Sequence, residues 1–135
     1  MTIVHHSSPE GLAASPAYSH VVTGSGRLVV VSGQVAQDAD GALVGVGDPE
    51  AQARQVFTNL ERCLAAAGAT FTDVVKLTWF VTDMTLMPVF RTVRAEFTGS
   101  DPLPASSAVQ VVALFRPELV LEVEALAIIP EPAAV

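Results

Sequence analysis

The chain has 135 residues, one domain on ordinary size statistics, and is 50% hydrophobic with only 16% charged residues. Its formal net charge of −7 argues against a nucleic-acid partner, because phosphate contacts need a basic patch and the Lys and Arg residues are scattered. A single cysteine, Cys63, excludes an internal disulfide. No run reaches membrane-spanning length and no basic-then-apolar leader opens the chain, so a cytoplasmic protein that does not engage membranes is expected.

Residues 1–15 are small, polar and interrupted by Pro9 and Gly11, which reads as a flexible arm. His5 and His6 are adjacent and face opposite ways in extended chain, a poor metal clamp. Tyr18 to Thr23 reads as a strand, Gly24-Ser25-Gly26 as a turn and Arg27 to Ser32 as a second strand, together a hairpin. Ser32-Gly33-Gln34 then forms a small-residue corner where backbone can approach a ligand closely. Asp48-Pro49-Glu50 opens a helix with Asp48 as N-cap, and Gly68 ends it after about Ala67. Ala53, Val56, Phe57, Leu60, Leu64 and Ala67 recur at helical spacing and mark its core face, with Cys63 beside them as a small packed thiol. Val74 to Thr82 alternates as a long strand. Leu86 to Phe97 reads as a second helix with a stripe of Leu86, Phe90, Val93 and Phe97, and Pro88 fits in its first turn.

The stretch from Pro104 to Ile129 is two apolar runs separated by Phe115-Arg116-Pro117-Glu118. Both runs alternate with a period of two, so each reads as a strand, joined as a hairpin or by a short link between neighbours. Leu121, Val123, Ala125 and Ala127 share one face of the second run; Glu122, Glu124, Leu126 and Ile128 share the other. Two carboxylates on one face of so apolar a strand read either as a solvated surface or as a carboxylate held in a cleft for chemistry. Residues 130–135 read as a tail. The order β-β-α-β-α-β-β gives an α+β domain spanning 1–135, core about 16–129, with one sheet and two helices on one face. The other face of the sheet also reads apolar. Together with the low charge content this predicts a homo-oligomer with a large apolar interface. Nothing in the chain has metal-ligand spacing or a phosphate-binding glycine loop, so no metal or cofactor is expected.

Several separated motifs, in order, resemble the Rid (YjgF) family, the reactive intermediate deaminases also filed under an endoribonuclease label. They are Val31-Ser32-Gly33-Gln34, Ala51-Gln52-Ala53-Arg54-Gln55, Ala66-Ala67-Gly68-Ala69, Val74-Val75-Lys76-Leu77-Thr78, Phe80-Val81-Thr82-Asp83, Pro104-Ala105 and Glu122-Val123-Glu124-Ala125-Leu126-Ala127. The resemblance covers residues 16 to 129. It implies a chorismate-mutase-like fold and a homotrimer whose sheets enclose a central barrel, with ligand clefts between subunits.

The resemblance also implies a site. Gly33 and Glu122 match the family's cleft glycine and its water-positioning glutamate, and Tyr18 matches its N-terminal tyrosine. Ser106 stands where the family has the arginine that clamps a substrate carboxylate, Ala108 where it has a cysteine, and Phe90 where it has a helix asparagine. A serine hydroxyl cannot replace a guanidinium that makes two charge-assisted hydrogen bonds. Efficient deamination of 2-aminoacrylate-type imino acids is therefore not expected. The expected activity is hydrolase- or deaminase-like, on an enamine, imine or related small molecule. Glu122 would act as general base or water anchor, Ser106 and Ser107 as hydrogen-bond donors, and Phe90 and Ala108 as apolar walls. Arg91, Arg94 and Arg116 are the cations that could reach a carboxylate from another side. The alternative is a non-catalytic small-molecule-binding or regulatory trimer; a ribonuclease fits the acidic balance least.

Overall fold

The computed structural model describes residues 3–132. The elements are β1 (Val4–His6), β2 (Val21–Thr23), β3 (Gly26–Gln34), α1 (Pro49–Ala66), β4 (Val74–Val81), α2 (Met87–Thr98), β5 (Ala105–Gln110) and β6 (Leu121–Pro130). Single 3-10 turns, Phe71–Asp73 and Met84–Leu86, lead into β4 and α2. The main sheet has the order β3-β6-β4-β5. β6 runs antiparallel to both its neighbours and β5 runs parallel to β4.

Three expectations need correction. The first strand does not form a hairpin with the second: β2 pairs with β1, in the register His5↔Val22, and β3 pairs with β6. Val4–His6 is accordingly a strand, because Val21 to Thr23 offers an edge whose backbone groups need partners. Nor are β5 and β6 neighbours, since β4 lies between them and the link passes over its end. The apolar character of both C-terminal runs is compatible with either arrangement. The long-range pairing of β6 with β3 and β4 decides it, with Val31↔Ala125 and Trp79↔Val123 in register.

The helices form where their local signals lie. The Asp48 carboxylate accepts from the Ala51 N–H at 3.1 Å, satisfying one of the free donors of the first turn of α1. At the other end Gly68 takes φ +79°, which only glycine adopts without strain, and the Gly68 and Ala69 N–H groups close on the Ala65 and Leu64 carbonyls. Arg27 adds a hydrogen bond from Nη2 to the Ala67 carbonyl at 3.0 Å, placing a cation at the helix C-terminus. In α2, Pro88 sits in the first turn, where its missing N–H costs nothing.

Both helices cover one face of the sheet. Phe57 is fully buried and packs against Phe71, Trp79 and Phe97 with ring centroids 6.0, 5.4 and 5.8 Å away. Burying a side chain of this size contributes about 2–3 kcal/mol. Gln52, also buried, is the polar member of this layer. Its Nε2 donates to the Gly45 and Glu118 carbonyls at 3.1 and 2.9 Å, and its Oε1 accepts from the Val120 N–H at 3.0 Å. One amide thereby ties α1 to the loop before it and to the chain entering β6.

The opposite face of the sheet is uncovered in the single chain. Val30 is 69% exposed and Leu28 61%, and they share this face with Leu126, Ile128, Phe80 and Val109. Such an apolar surface is larger than a scatter of single exposed side chains.

Candidate functional site

The two edges of the sheet carry different parts of the predicted site. At the β5 edge, Ser106 and Ala108 point to the helix side, in register with Leu77 and Trp79 of β4. The buried Trp79 indole donates from Nε1 to Ser106 Oγ at 3.0 Å. The hydroxyl hydrogen of Ser106 therefore remains available to another acceptor. Tyr18 is brought to the same place by its neighbour. Buried Ser19 donates from Oγ to the Leu103 carbonyl at 2.6 Å, and its N–H reaches the Pro104 carbonyl at 3.1 Å. The residues just before β5 thus anchor the segment that holds Tyr18, whose ring meets His20 edge-on at 5.2 Å.

Tyr18, Ser106, Ala108 and Trp79 line a cavity of about 430 Å³. Its other wall is the turn before α2 and the helix itself: Met84 and Met87 supply apolar surface, and Arg91 and Arg94 supply charge. Arg94 is only 6% exposed. Its Nη1 donates to the Ala17 carbonyl at 3.0 Å, while its buried Nε has no hydrogen-bond partner. Burial, and then the positive charge of Arg91, hold the Arg94 guanidinium below its ordinary pKa.

At the opposite edge, Gly33 lies near the end of β3, inside the slip of the β3–β6 register between Val31 and Gln34. The Glu122 side chain lies directly over Gly33, and a Cβ there would overlap its carboxylate. Gly33 is thus required by a close approach rather than by its own dihedral angles. Glu122 and Glu124 stand on the uncovered face, across from Phe80 and Thr78 of β4. A second hollow of about 420 Å³ adjoins Gly33, with Gln34, Asn59 and Arg62 in its walls.

Two predicted wall and donor residues lie elsewhere. Phe90 is fully buried in the hydrophobic core and does not line the cavity, because its position on α2 faces the sheet. Arg91, one residue on and rotated by a hundred degrees or so, faces the cavity instead. Ser107 points to the uncovered face, away from Ser106, and accepts a hydrogen bond from Lys76 Nζ at 2.7 Å. The cause is the strand's alternation of side-chain direction. Arg116 pairs with Glu118 at 3.8 Å in the β5–β6 link and is not in the cavity.

The fold and these hollows define the class: a small mixed α+β domain with ligand-sized depressions at both edges of one sheet. The chain belongs to the YjgF/Rid family, since the family model described as Endoribonuclease L-PSP matches residues 9–129. It is 37% identical over 131 residues to the RutC family protein YjgH of Escherichia coli, covering 96% of each chain. It is 36% identical over 126 residues to a rat protein named 2-iminobutanoate/2-iminopropanoate deaminase, covering 90% of this chain and 87% of the relative. A crystal structure of YyfB, of the conserved Rid family in Yersinia pestis, superposes with a TM-score of 0.84 at 39% identity, over 96% of this chain and all of the other.

Proposed function

We propose that the protein hydrolyses a small enamine, imine or related reactive metabolite in a cleft between subunits, with Glu122 as the general base or water anchor. The observation that carries this reading is the seating of the Glu122 carboxylate against Gly33, two residues the chain brings together from separate strands. A carboxylate packed against a side-chain-free backbone position is held in one place, from which it can aim a water at an electrophilic carbon. Relatives named as 2-iminobutanoate/2-iminopropanoate deaminases supply the reaction class.

The geometry of one chain supports an intersubunit cleft. Glu122 with Gly33 and Ser106 with Tyr18 lie on opposite faces of the sheet and toward opposite edges, with strands between. Adjacent strands are about 4.8 Å apart, so β3 and β5 are separated by roughly 14 Å. A small ligand touches both sets only if they come from different copies of the chain. The uncovered apolar face around Val30 and Leu126 is suited to that association, in a homotrimer. Ser106 in place of a guanidinium removes a charge from β5 itself, so the substrate differs from that of an efficient 2-aminoacrylate deaminase.

The test is turnover of 2-iminobutanoate and of uncharged imines generated in situ, for wild type and Glu122→Gln. Loss of about a hundredfold or more is expected on removing a positioned base. Equal turnover in the variant would refute the role of Glu122; saturable binding without product in the wild type would point to a binding protein instead.

A further inference from the structure

We propose that Trp79 is a positioning residue of the helix-side cavity: its indole N–H holds the Ser106 oxygen, so that the hydroxyl hydrogen is presented to an uncharged carbonyl oxygen of the ligand, as in an amide, ester or ketone. The proposal rests on the reading above that the ligand lies against Ser106, and it names the ligand group that meets β5.

The geometry starts from strand register. Trp79 stands directly opposite Ala108 of β5 and on the diagonal from Ser106, all three on the helix side. Ala108 has no side-chain acceptor, and diagonal neighbours lie within reach of a large aromatic side chain. The indole Nε1 accordingly donates to Ser106 Oγ at 3.0 Å. Its aim is fixed from behind, because Trp79 is 1% exposed and its ring packs tilted on fully buried Phe57 at 5.4 Å. An indole nitrogen can only donate, so the hydrogen of the Ser106 hydroxyl cannot point back at it. Among the described residues Ser106 Oγ has no second hydrogen-bond partner, and the half-buried side chain lines the cavity. The result is a neutral donor with one direction removed from its choices and a rigid ring behind it. A carbonyl oxygen suits such a donor, since one neutral hydrogen bond offsets its modest desolvation. A carboxylate carries about four lone-pair sites and loses more hydration at this wall than a single neutral bond returns. A hydroxyl that donates also accepts more strongly, so a bound carbonyl and the indole N–H reinforce each other through the one oxygen.

Trp79 is the chain's single tryptophan, so isotopically labelled protein gives one indole N–H signal in its NMR spectrum. Titration with butanamide should move that signal downfield and saturate, as Ser106 Oγ becomes the stronger acceptor. Ser106→Ala should lose the response and bind butanamide about tenfold more weakly, as followed by the backbone amide signals of the cavity. Ser106→Thr, which keeps the hydroxyl, should restore both. Replacing Trp79 by benzothienylalanine, which keeps the ring and exchanges the N–H for sulfur, should weaken binding by about threefold, because the hydroxyl regains its staggered positions. An indole signal that stays still while the cavity's backbone amides respond, wild-type affinity in Ser106→Ala or in the benzothienyl variant, or no binding of butanamide would overturn the assignment. Glu122→Gln separates this from the catalytic reading. It should show the wild-type indole response, so undiminished turnover in that variant would refute the base while leaving the role of Trp79 standing.

Discussion

Gly33→Ala gives a direct test of the contact between β3 and β6. The added Cβ would lie 2.7 Å from Glu122 Cδ and 2.9 Å from Cγ, with the carboxylate oxygen closer still. Non-bonded carbons pack at about 3.5–4.0 Å, so the carboxylate must retreat by roughly 1 Å. The obstacle is the end of a flexible side chain, and the φ of Gly33 is not in the left-handed region, so the backbone need not move. Stability should therefore fall by less than about 1 kcal/mol, at the mild end of point substitutions. Activity should fall far more, since a displacement of 1 Å in a reacting group costs on the order of a hundredfold. The two quantities are read from urea unfolding monitored by circular dichroism and from turnover of an in-situ imine. A variant that unfolds before losing activity, or one with wild-type turnover, would refute the reasoning that Gly33 exists to seat Glu122.

Two further outcomes follow from the scaffold. Gln52→Leu keeps the volume but strands the Gly45 and Glu118 carbonyls and the Val120 N–H. At about 1–3 kcal/mol for an unsatisfied buried group, with water reaching some of them, a loss of about 3 kcal/mol is expected in denaturant unfolding, and a loss under about 1 would show that the amide does not hold the loop. The Glu96 carboxyl is held below its ordinary pKa chiefly by its hydrogen bonds from Arg54. Because the folded value is the lower one, its contribution is present above the unfolded carboxylate pKa and disappears as pH falls through the folded one. The stability gap between wild type and Glu96→Gln should thus close on acidification; a gap independent of pH would remove the ion pair as its source.

The parts of the fold written in local chemistry were legible from sequence. Asp48, Pro49 and Gly68 bracket α1 because caps and glycine conformations act within a few residues. The alternation along β4 and β6 correctly separates Leu77, Trp79, Leu121 and Val123 from the residues on the uncovered face. Strand order was not legible, since pairing β6 between β3 and β4 depends on contacts far apart in sequence. Gln52 was invisible as a core residue because an isolated polar side chain in a helix reads as solvent-facing until its three partners are known. At the site, the reading of Phe90 as a cavity wall fails because its side chain turns into the core, while Arg91, about 100° further round the helix, lines the cavity. Arg94 illustrates the converse. Its default reading is a surface cation, and only the fold reveals it as buried with an unmet donor.

The placement of β5 at the rim of the sheet bears on how such a domain changes its chemistry over time. Ser106 and Ala108 sit on a strand with a single hydrogen-bonded neighbour, at half-buried positions, whereas Phe57, Trp79 and Val123 secure the interior from the helix and the two central strands. Replacing a side chain on that rim alters what the cavity accepts while disturbing few of the contacts on which folding depends. Ligand preference can therefore drift by single substitutions without passing through unfolded intermediates.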